Sequence, residues 1–379
     1  MKWYARYIED SNVRAAEGLA ADELLTTLYD REGAVDLCLR LYTYRPHCAL
    51  VGRFQNLEAE VDLAYCQAHG VEYSRRLTGG GAIIMGPDQL GICLTARPNL
   101  FQWHHIRELY HQLAQPIVDV LQSLGLAVQF RSKNDLEVHS KKIAGLGIYL
   151  SPTGAVQFHT SLLYDLDVEL MLRILKIPLR KYADRKGIQS VYDRITTLKR
   201  ETSGSITMEE LKVLLRQAYE TRFPAYWRTH GWTEAEKEQI RQLAEEKYRH
   251  PDWLRQYAPG EDMTGMAVMK TPAGLLRAYV AVKGDLIKSV LITGDFLHGE
   301  RFFSEVEAAL KWSSADEGRL RKTLEKTADR CRAMGIEMPV EVSNVVRLIK
   351  AAVRKAHVEM HYHYDGSCYY PKMLKKQTV

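Results

Sequence analysis

The chain has 379 residues, 46% of them hydrophobic and 26% charged, so it can build a sizeable core and is not disordered by composition. A net charge of +5 is too small to announce a nucleic-acid binder, which gathers Lys and Arg on one face; it suits a small anionic ligand or an acidic partner. No stretch approaches the roughly 20 apolar residues that span a bilayer. Six cysteines without CxxC spacing, and an N-terminus without an apolar leader, read as reduced thiols in a soluble cytoplasmic protein.

In chain order, Ala15, Ala16, Leu19, Leu24 and Leu28 share one helical face over 11–30, with Ser11 or Asn12 as N-cap. "DLCLRLYTY" alternates as a half-buried strand, and "CALVGRF" follows as a second strand ending at Gly52. "EAEVDLAYCQAHG" predicts a short helix closed by Gly70. Strand-like "VEYSRR" and "AIIMG" bracket a glycine run, and "LGICLTA" is the next strand. A helix over 103–124 precedes strands in "AVQFR", "LEVH", "KIAGLGIYL" and "AVQFHTSLLYDL". Helices return at 168–176 and from Thr207, where Thr207 and Glu210 form a capping box.

Beyond a charge-rich helix at 233–257, "LLRAYVAVKGDLIKSVLITGDF" predicts a hairpin turning at Lys283-Gly284-Asp285. Helices follow near 304–312, with a capping box at Ser304 and Glu307, at 317–334, and from about Ser343. Strands are not separated by regular crossovers, so the fold class is α+β: a mixed, largely antiparallel central sheet flanked by helices, plus a small α+β C-terminal domain. The expected divisions are 1–232, a helical linker at 233–257, an accessory domain at 258–340, and a C-terminal helix and tail at 341–379.

The chemistry concentrates in "YSRRLTGGGAIIMG". Gly79, Gly80 and Gly81 let backbone N–H groups approach an anion, and Arg75 and Arg76 add planar donors suited to carboxylate or phosphate. The bland alternative is a glycine-rich hairpin with a surface arginine pair. Neither GxxxxGK[ST] nor GxGxxG is present. In "SKNDLEVHSKKIAGLGIYL", Lys142 precedes small residues that leave room for ligand, and Asn134 and Asp135 place a carboxylate where phosphate-bound Mg2+ would want one. His159 lies on an apolar strand, where a structural role is the commoner one.

"VGRFQN" (51–56), "RRLTGGGAIIM" (75–85), "KNDLEV" (133–138), "KKIAG" (141–145), "FHTSLL" (158–163) and "RKGIQSVYDRITTL" (185–198) occur in that order. Together they resemble the lipoate–protein ligase family over roughly 1–225, with a weaker likeness to its accessory domain to about 340. The resemblance implies the biotin/lipoate ligase fold, residues 1–232 as the catalytic domain, ATP and Mg2+ as cofactors, and lipoic acid as substrate. The acceptor would be a lysine on a lipoyl-domain or H-protein-like protein, with no nucleic acid or membrane involved.

Residue by residue, Arg76 with Gly79, Gly80 and Gly81 would contact the lipoyl carboxyl end and the activated phosphate. Lys142 would be the active-site lysine, and Asn134 and Asp135 would meet nucleotide and metal. Ala144 and Gly145 would leave space along the acyl chain, with His159 packed nearby. Lys186, Gly187 and Ser190 would belong to a loop that closes over the adenylate. The chain departs from the family pattern at Met85, where histidine is usual, and at Thr160, where glycine is usual.

Two rivals share the fold: an ATP-independent octanoyl- or lipoyl-transferase, for which Cys93 is the nearest thiol, and a non-catalytic carrier-binding module. Cys93 sits in an apolar strand pattern that favours an inert buried thiol. Biotin ligation lacks its glycine-rich basic motif. In the tail, His357 and His361 at i, i+4, with His363, Asp365 and Cys368 beyond, could ligate Zn2+ or serve the helix end as cations.

Overall fold

The computed structural model describes residues 3–30, 35–131, 134–176 and 191–359. It divides into two units: one runs through Gln256 apart from Phe54–Asn56, and the other takes Phe54–Asn56 and the described residues from Tyr257 on.

The strands of the first unit are β1 (Trp3–Val13), β2 (Leu37–Tyr44), β3 (Cys48–Val51), β4 (Glu72–Arg75), β5 (Ile83–Met85), β6 (Gln89–Ala96), β7 (Val128–Arg131), β8 (Asp135–Val138), β9 (Lys141–Leu150), β10 (Val156–Leu163) and β11 (Ala225–Thr229). Eight of them form one sheet in the order β11-β1-β2-β6-β10-β9-β8-β7, and a small sheet runs β4-β3-β5. In the large sheet β1 is parallel to both neighbours and the other pairs are antiparallel. The mixed, mainly antiparallel sheet is the one expected.

The strand β2 is buried along its whole length and not on one face alone. Leu37, Leu39 and Leu41 join the main core with helices Ile106–Ser123 and Met208–Arg222, while Tyr42 and Tyr44 pack against helix Ala15–Thr27 on the opposite face. A sheet covered on both sides buries both residue sets of its central strands. The polar residues that made β2 look half-exposed are satisfied internally. Arg40 is 1% exposed. It donates to Asp10 Oδ2 and Asp22 Oδ1, each at 2.6 Å, and to the Gly18 carbonyl at 2.9 Å. Tyr42 Oη donates to Asp22 Oδ2 at 2.9 Å.

Two caps differ from expectation. Ser11 and Asn12 lie in β1, and the first helix begins at Ala15 after Arg14, which makes no side-chain cap. The β1 pattern was masked by polar residues on its partly exposed face. Ser304 and Glu307 form no box, because that helix starts at Glu300 behind Gly299, at φ 104°. Glu307 accepts from the Ile292 amide at 2.6 Å, and burial pushes its carboxyl up to about 7. The box at Thr207 and Glu210 is present. The charged segment after residue 232 carries helix Glu234–Leu243, whose Ile240 packs in the cluster of helix Ala15–Thr27.

In the second unit, β12 (Gly265–Thr271), β13 (Gly274–Lys283), β14 (Leu286–Gly294) and β15 (Ser313–Ser314) pair in sequence order. The hairpin turns at Gly284, φ 56°, as its sequence predicts. Phe54 stacks on Phe296 with centroids 4.6 Å apart, and its carbonyl accepts from Gly294 N at 2.9 Å.

Replacing Arg40 by Met leaves Asp22, 0% exposed, as an uncompensated buried acid. Breaking a buried pair costs about 3–5 kcal/mol, and the midpoint of guanidinium chloride unfolding is expected to fall accordingly.

Candidate active site

The two arginines of the glycine run do different work. Arg75 is 0% exposed and donates to the carbonyls of Gly52, Arg53, Trp253 and Leu254 at 2.7–3.0 Å. It is a clip for backbone within the first unit. Arg76, 4% exposed, donates to the carbonyls of Leu50 and Gly81, the latter at 2.9 Å, with a longer approach to Gly79 O at 3.4 Å. Among the described residues its Nε has no hydrogen-bond partner and its guanidinium no carboxylate partner. Burial pulls it down to about 10, still cationic at neutral pH.

Arg76 thereby sets the peptide planes of the loop. In a trans peptide C=O and N–H point oppositely, so the N–H groups of Gly80 and Ala82 turn away from the guanidinium. Gly80 takes φ 95°. A side chain at Gly52 would place Cβ 1.9 Å from the Gly80 carbonyl oxygen, so glycine is required there too.

The loop forms one wall of a cleft of about 530 Å³, open mouth included. Of the expected residues, Arg76, Gly79, Gly80, Gly81, Asn134, Lys142, Gly145 and His159 all line it. Antiparallel register explains the convergence: Asp135 pairs with Gly145, Gly145 with Ser161, and Gly147 with His159. Asn134 is fastened to β9, its Nδ2 donating to Leu146 O at 2.9 Å.

Lys142 Nζ lies 2.7 Å from Asp135 Oδ1, an ion pair by distance. The contact lacks the angles of a hydrogen bond, and Oδ1 has no aligned donor. With Lys142 33% and Asp135 26% exposed, solvent screens the pair, and the ammonium can swing to another anion. Gly145 makes the room, since a Cβ there would sit 3.0 Å from Nζ. The backbone of Lys142 is fixed on both sides, its N–H donating to Arg194 O and its carbonyl accepting from Thr196 N.

His159 Nε2 lies 2.8 Å from Thr78 Oγ1. Burial, and then the charge on Arg76, hold the imidazole down to about 3, so it is neutral and unsuited to proton transfer at neutral pH. A Cβ at Gly147 would approach His159 Nε2 to 2.4 Å.

Not every expectation converges on the cleft. Ala144 is 0% exposed in the main core, on the alternate face of β9. Thr160 borders the cleft, but it pairs with Leu146 and Ile92, both core residues, and its Oγ1 has no partner among the described residues. Lys186, Gly187 and Ser190 lie outside the described residues, as do His361, His363, Asp365, Cys368 and the side chain of His357. Sequence reading missed Leu19, Tyr42, Tyr44 and Leu50 on the cleft wall. The i, i+2 aromatic pair on β2 was the available signal.

Among the described residues no three His, Cys, Asp or Glu side chains come together to cage a metal. Mg2+ keeps waters and takes phosphate oxygens with only one or two protein carboxylates. Asp135 fits that limited share.

The match to a family model decides the lineage: the lipoyl protein ligase A/B catalytic domain aligns with residues 14–220. The chain belongs to this lipoyl ligase family. It is 26% identical to the lipoate–protein ligase LplJ of Bacillus subtilis over 306 residues, covering 80% of this chain and 88% of that protein. It is 25% identical to the octanoyltransferase LipM of Geobacillus kaustophilus, covering 65% and 96%. A bipartite lipoate protein ligase from Thermoplasma acidophilum, described with its E2 lipoyl domain, superposes with a TM-score of 0.59 at 24% identity. It covers 69% of this chain and 99% of that one, and shows the shared fold.

The relatives thus include both a ligase and a transferase. All five described cysteines are buried, and among the described residues none lines the cleft. Burial pushes the thiols of Cys48 and Cys93 well up, and that of Cys38 to about 12. Such thiols are poor nucleophiles.

Arg75→Leu removes four carbonyl partners at once. It is expected to cost about 2–4 kcal/mol of stability, read by urea unfolding. His159 is held below its free value of about 6.5, so its contribution is present above that pH and lost on acidification. Between pH 7 and 5 the wild type should lose about 2 kcal/mol more stability than His159→Gln, measured by unfolding at both pH values.

Proposed function

We propose that the chain is an ATP-dependent lipoate–protein ligase. The observation that carries this reading is the pairing of an anion cradle with a lysine on a cleft that, among the described residues, has no thiol nucleophile. A carboxylate does not acylate an amine in water, because its leaving group is poor. Activation solves this. A lipoate carboxylate oxygen attacks the α-phosphorus of ATP and pyrophosphate leaves, giving lipoyl-AMP. Such phosphoryl chemistry depends on positioning and charge stabilisation.

This chain's residues would act as follows. The glycine loop presents N–H groups to the phosphate, with Arg76 holding the loop in shape. Lys142 leaves Asp135 and neutralises charge on the carboxyl oxygen and α-phosphate together. Asp135 would hold Mg2+, which when bound supplies further neutralisation of the triphosphate. Each buried CH2 of the acyl chain contributes about 0.8 kcal/mol, so Leu19, Leu50 and Met85 can retain a C8 chain by burial. In the second step the acceptor lysine must arrive neutral. The nearby charge of Lys142 lowers its pKa, the amine attacks the acyl carbon, and AMP leaves. The acceptor in this reading is a lipoyl-domain or H-protein-like protein.

Lys142→Ala is expected to fold normally by circular dichroism and to release no pyrophosphate on addition of lipoate and Mg-ATP. Normal adenylate synthesis in that variant would remove Lys142 from the mechanism. Cys93→Ser is expected to retain full activity. A loss of acyl transfer confined to assays without ATP would instead favour the transferase reading.

A further inference from the structure

Lys142 reaches the cleft through an irregularity in β9. Leu136 pairs with Ala144 but Glu137 pairs with Lys142, so Ile143 is an extra residue on β9, a β-bulge. Ile143 and Ala144, neighbours in sequence, are both buried in the main core. In a regular strand Lys142 would share the face of Ala144. The bulge turns it to the face of Gly145, where its ammonium meets Asp135. A bulge also interrupts the ladder, so the start of the strand needs another hold.

The chain at 194–196 supplies that hold, its backbone bracketing Lys142. Thr196, 1% exposed, donates from its amide to the Lys142 carbonyl and from Oγ1 to Glu201 Oε1. The other oxygen of that carboxylate lies 3.2 Å from His139 Nδ1, three residues before Lys142. A carboxylate accepts, so His139 carries its proton on Nδ1. His139 and Ser140 make the turn from β8 to β9 at φ 50° and 62°, a left-handed conformation that is unfavourable for residues with a Cβ. Glu201 ends the short helix Leu198–Glu201, which is pinned independently. Leu198 lies in the core, and Lys199 donates its amide to Tyr164 O and its ammonium to Asp165 Oδ2. One carboxylate thus ties the turn ahead of Lys142 and the segment beside it to a fixed post.

We propose that Glu201 is a positioning residue: by holding Thr196 and His139 it fixes the bulged root of Lys142, so that the ammonium, movable at its tip, arrives on the carboxylate and the α-phosphate. The inference rests on the ligase reading above and goes beyond it in naming a residue that is not on the cleft wall. Glu201 makes and breaks no bond. Its effect is geometric: a misplacement of about 1 Å at a reacting group costs up to about a hundredfold in rate.

The test is steady-state pyrophosphate release from lipoate and Mg-ATP by the full-length chain. Wild type is compared with Glu201→Ala, Glu201→Gln, Thr196→Val and the double variant of Thr196→Val with Glu201→Ala. Glu201→Ala is expected to lower kcat about ten- to a hundredfold, with KM for ATP and lipoate changed less than about threefold, because the glycine cradle is untouched. Glu201→Gln, whose amide oxygen still accepts from Thr196, should recover most of kcat. Thr196→Val should reproduce the loss, and the double variant should be no slower than the slower single one, since both remove the same contact. An unchanged kcat in Glu201→Ala, a loss confined to KM, additive losses, or a Glu201→Gln as slow as Glu201→Ala would overturn the assignment. Should Glu201→Ala fail to fold, Thr196→Val decides: folded and slow supports the clamp, folded and fast overturns it. Each of these results, with wild type active, leaves the ligase reading standing; a wild type that releases no pyrophosphate overturns that reading and the clamp with it.

Discussion

A guanidinium buried without a carboxylate partner is the constraint around which the site is arranged. Arg76 is desolvated enough to bring its pKa down to about 10, and it answers that cost with carbonyl oxygens. Those carbonyls come from Leu50 on β3 and from the glycine loop, so one side chain fixes the loop to the small sheet. The turned peptides then present N–H groups on the other side. Without Arg76 the three glycines would be the most mobile part of the wall; with it they are a fixed concavity with positive character.

The large sheet supplies what the loop cannot. Register in β8, β9 and β10 sets Asp135, Gly145 and Ser161 in one row, and Gly147 and His159 in the next. Glycine alternates with a functional side chain along these rows. Gly145 leaves room for the Lys142 ammonium and Gly147 for the His159 ring. The result is a lysine held loosely by one acid beside a cradle held firmly by one arginine. That contrast between a movable and a fixed cation is what charge neutralisation along a reaction path asks for.

Much of this was legible in the sequence, for reasons that differ by element. The glycine run, the Lys142 strand start and the Thr207 capping box each carry a local signal, and each was found in place. The fold class followed from strands without regular crossovers. What was missed depends on tertiary cover. Strand β2 reads as half-exposed because its second face carries Arg40, Tyr42 and Tyr44, and only the folded chain brings Asp10, Asp22 and helix Ala15–Thr27 over them. Arg75 and Arg76 are indistinguishable as neighbours in sequence, yet one grips carbonyls of the turn after β3 and of the short helix Pro251–Leu254, and the other a β3 carbonyl and the glycine loop of the cleft wall. The face of Ala144 was likewise a matter of register, which motif spacing does not report.

The most direct test of the central claim is a crystal structure of the full chain with lipoate and a non-hydrolysable ATP analogue. The account predicts the α-phosphate against the glycine-loop amides, with the lipoate carboxylate and that phosphate both in reach of Lys142 Nζ. Nucleotide bound elsewhere, or an acyl chain entering with its carboxylate pointing away from Lys142, would contradict it.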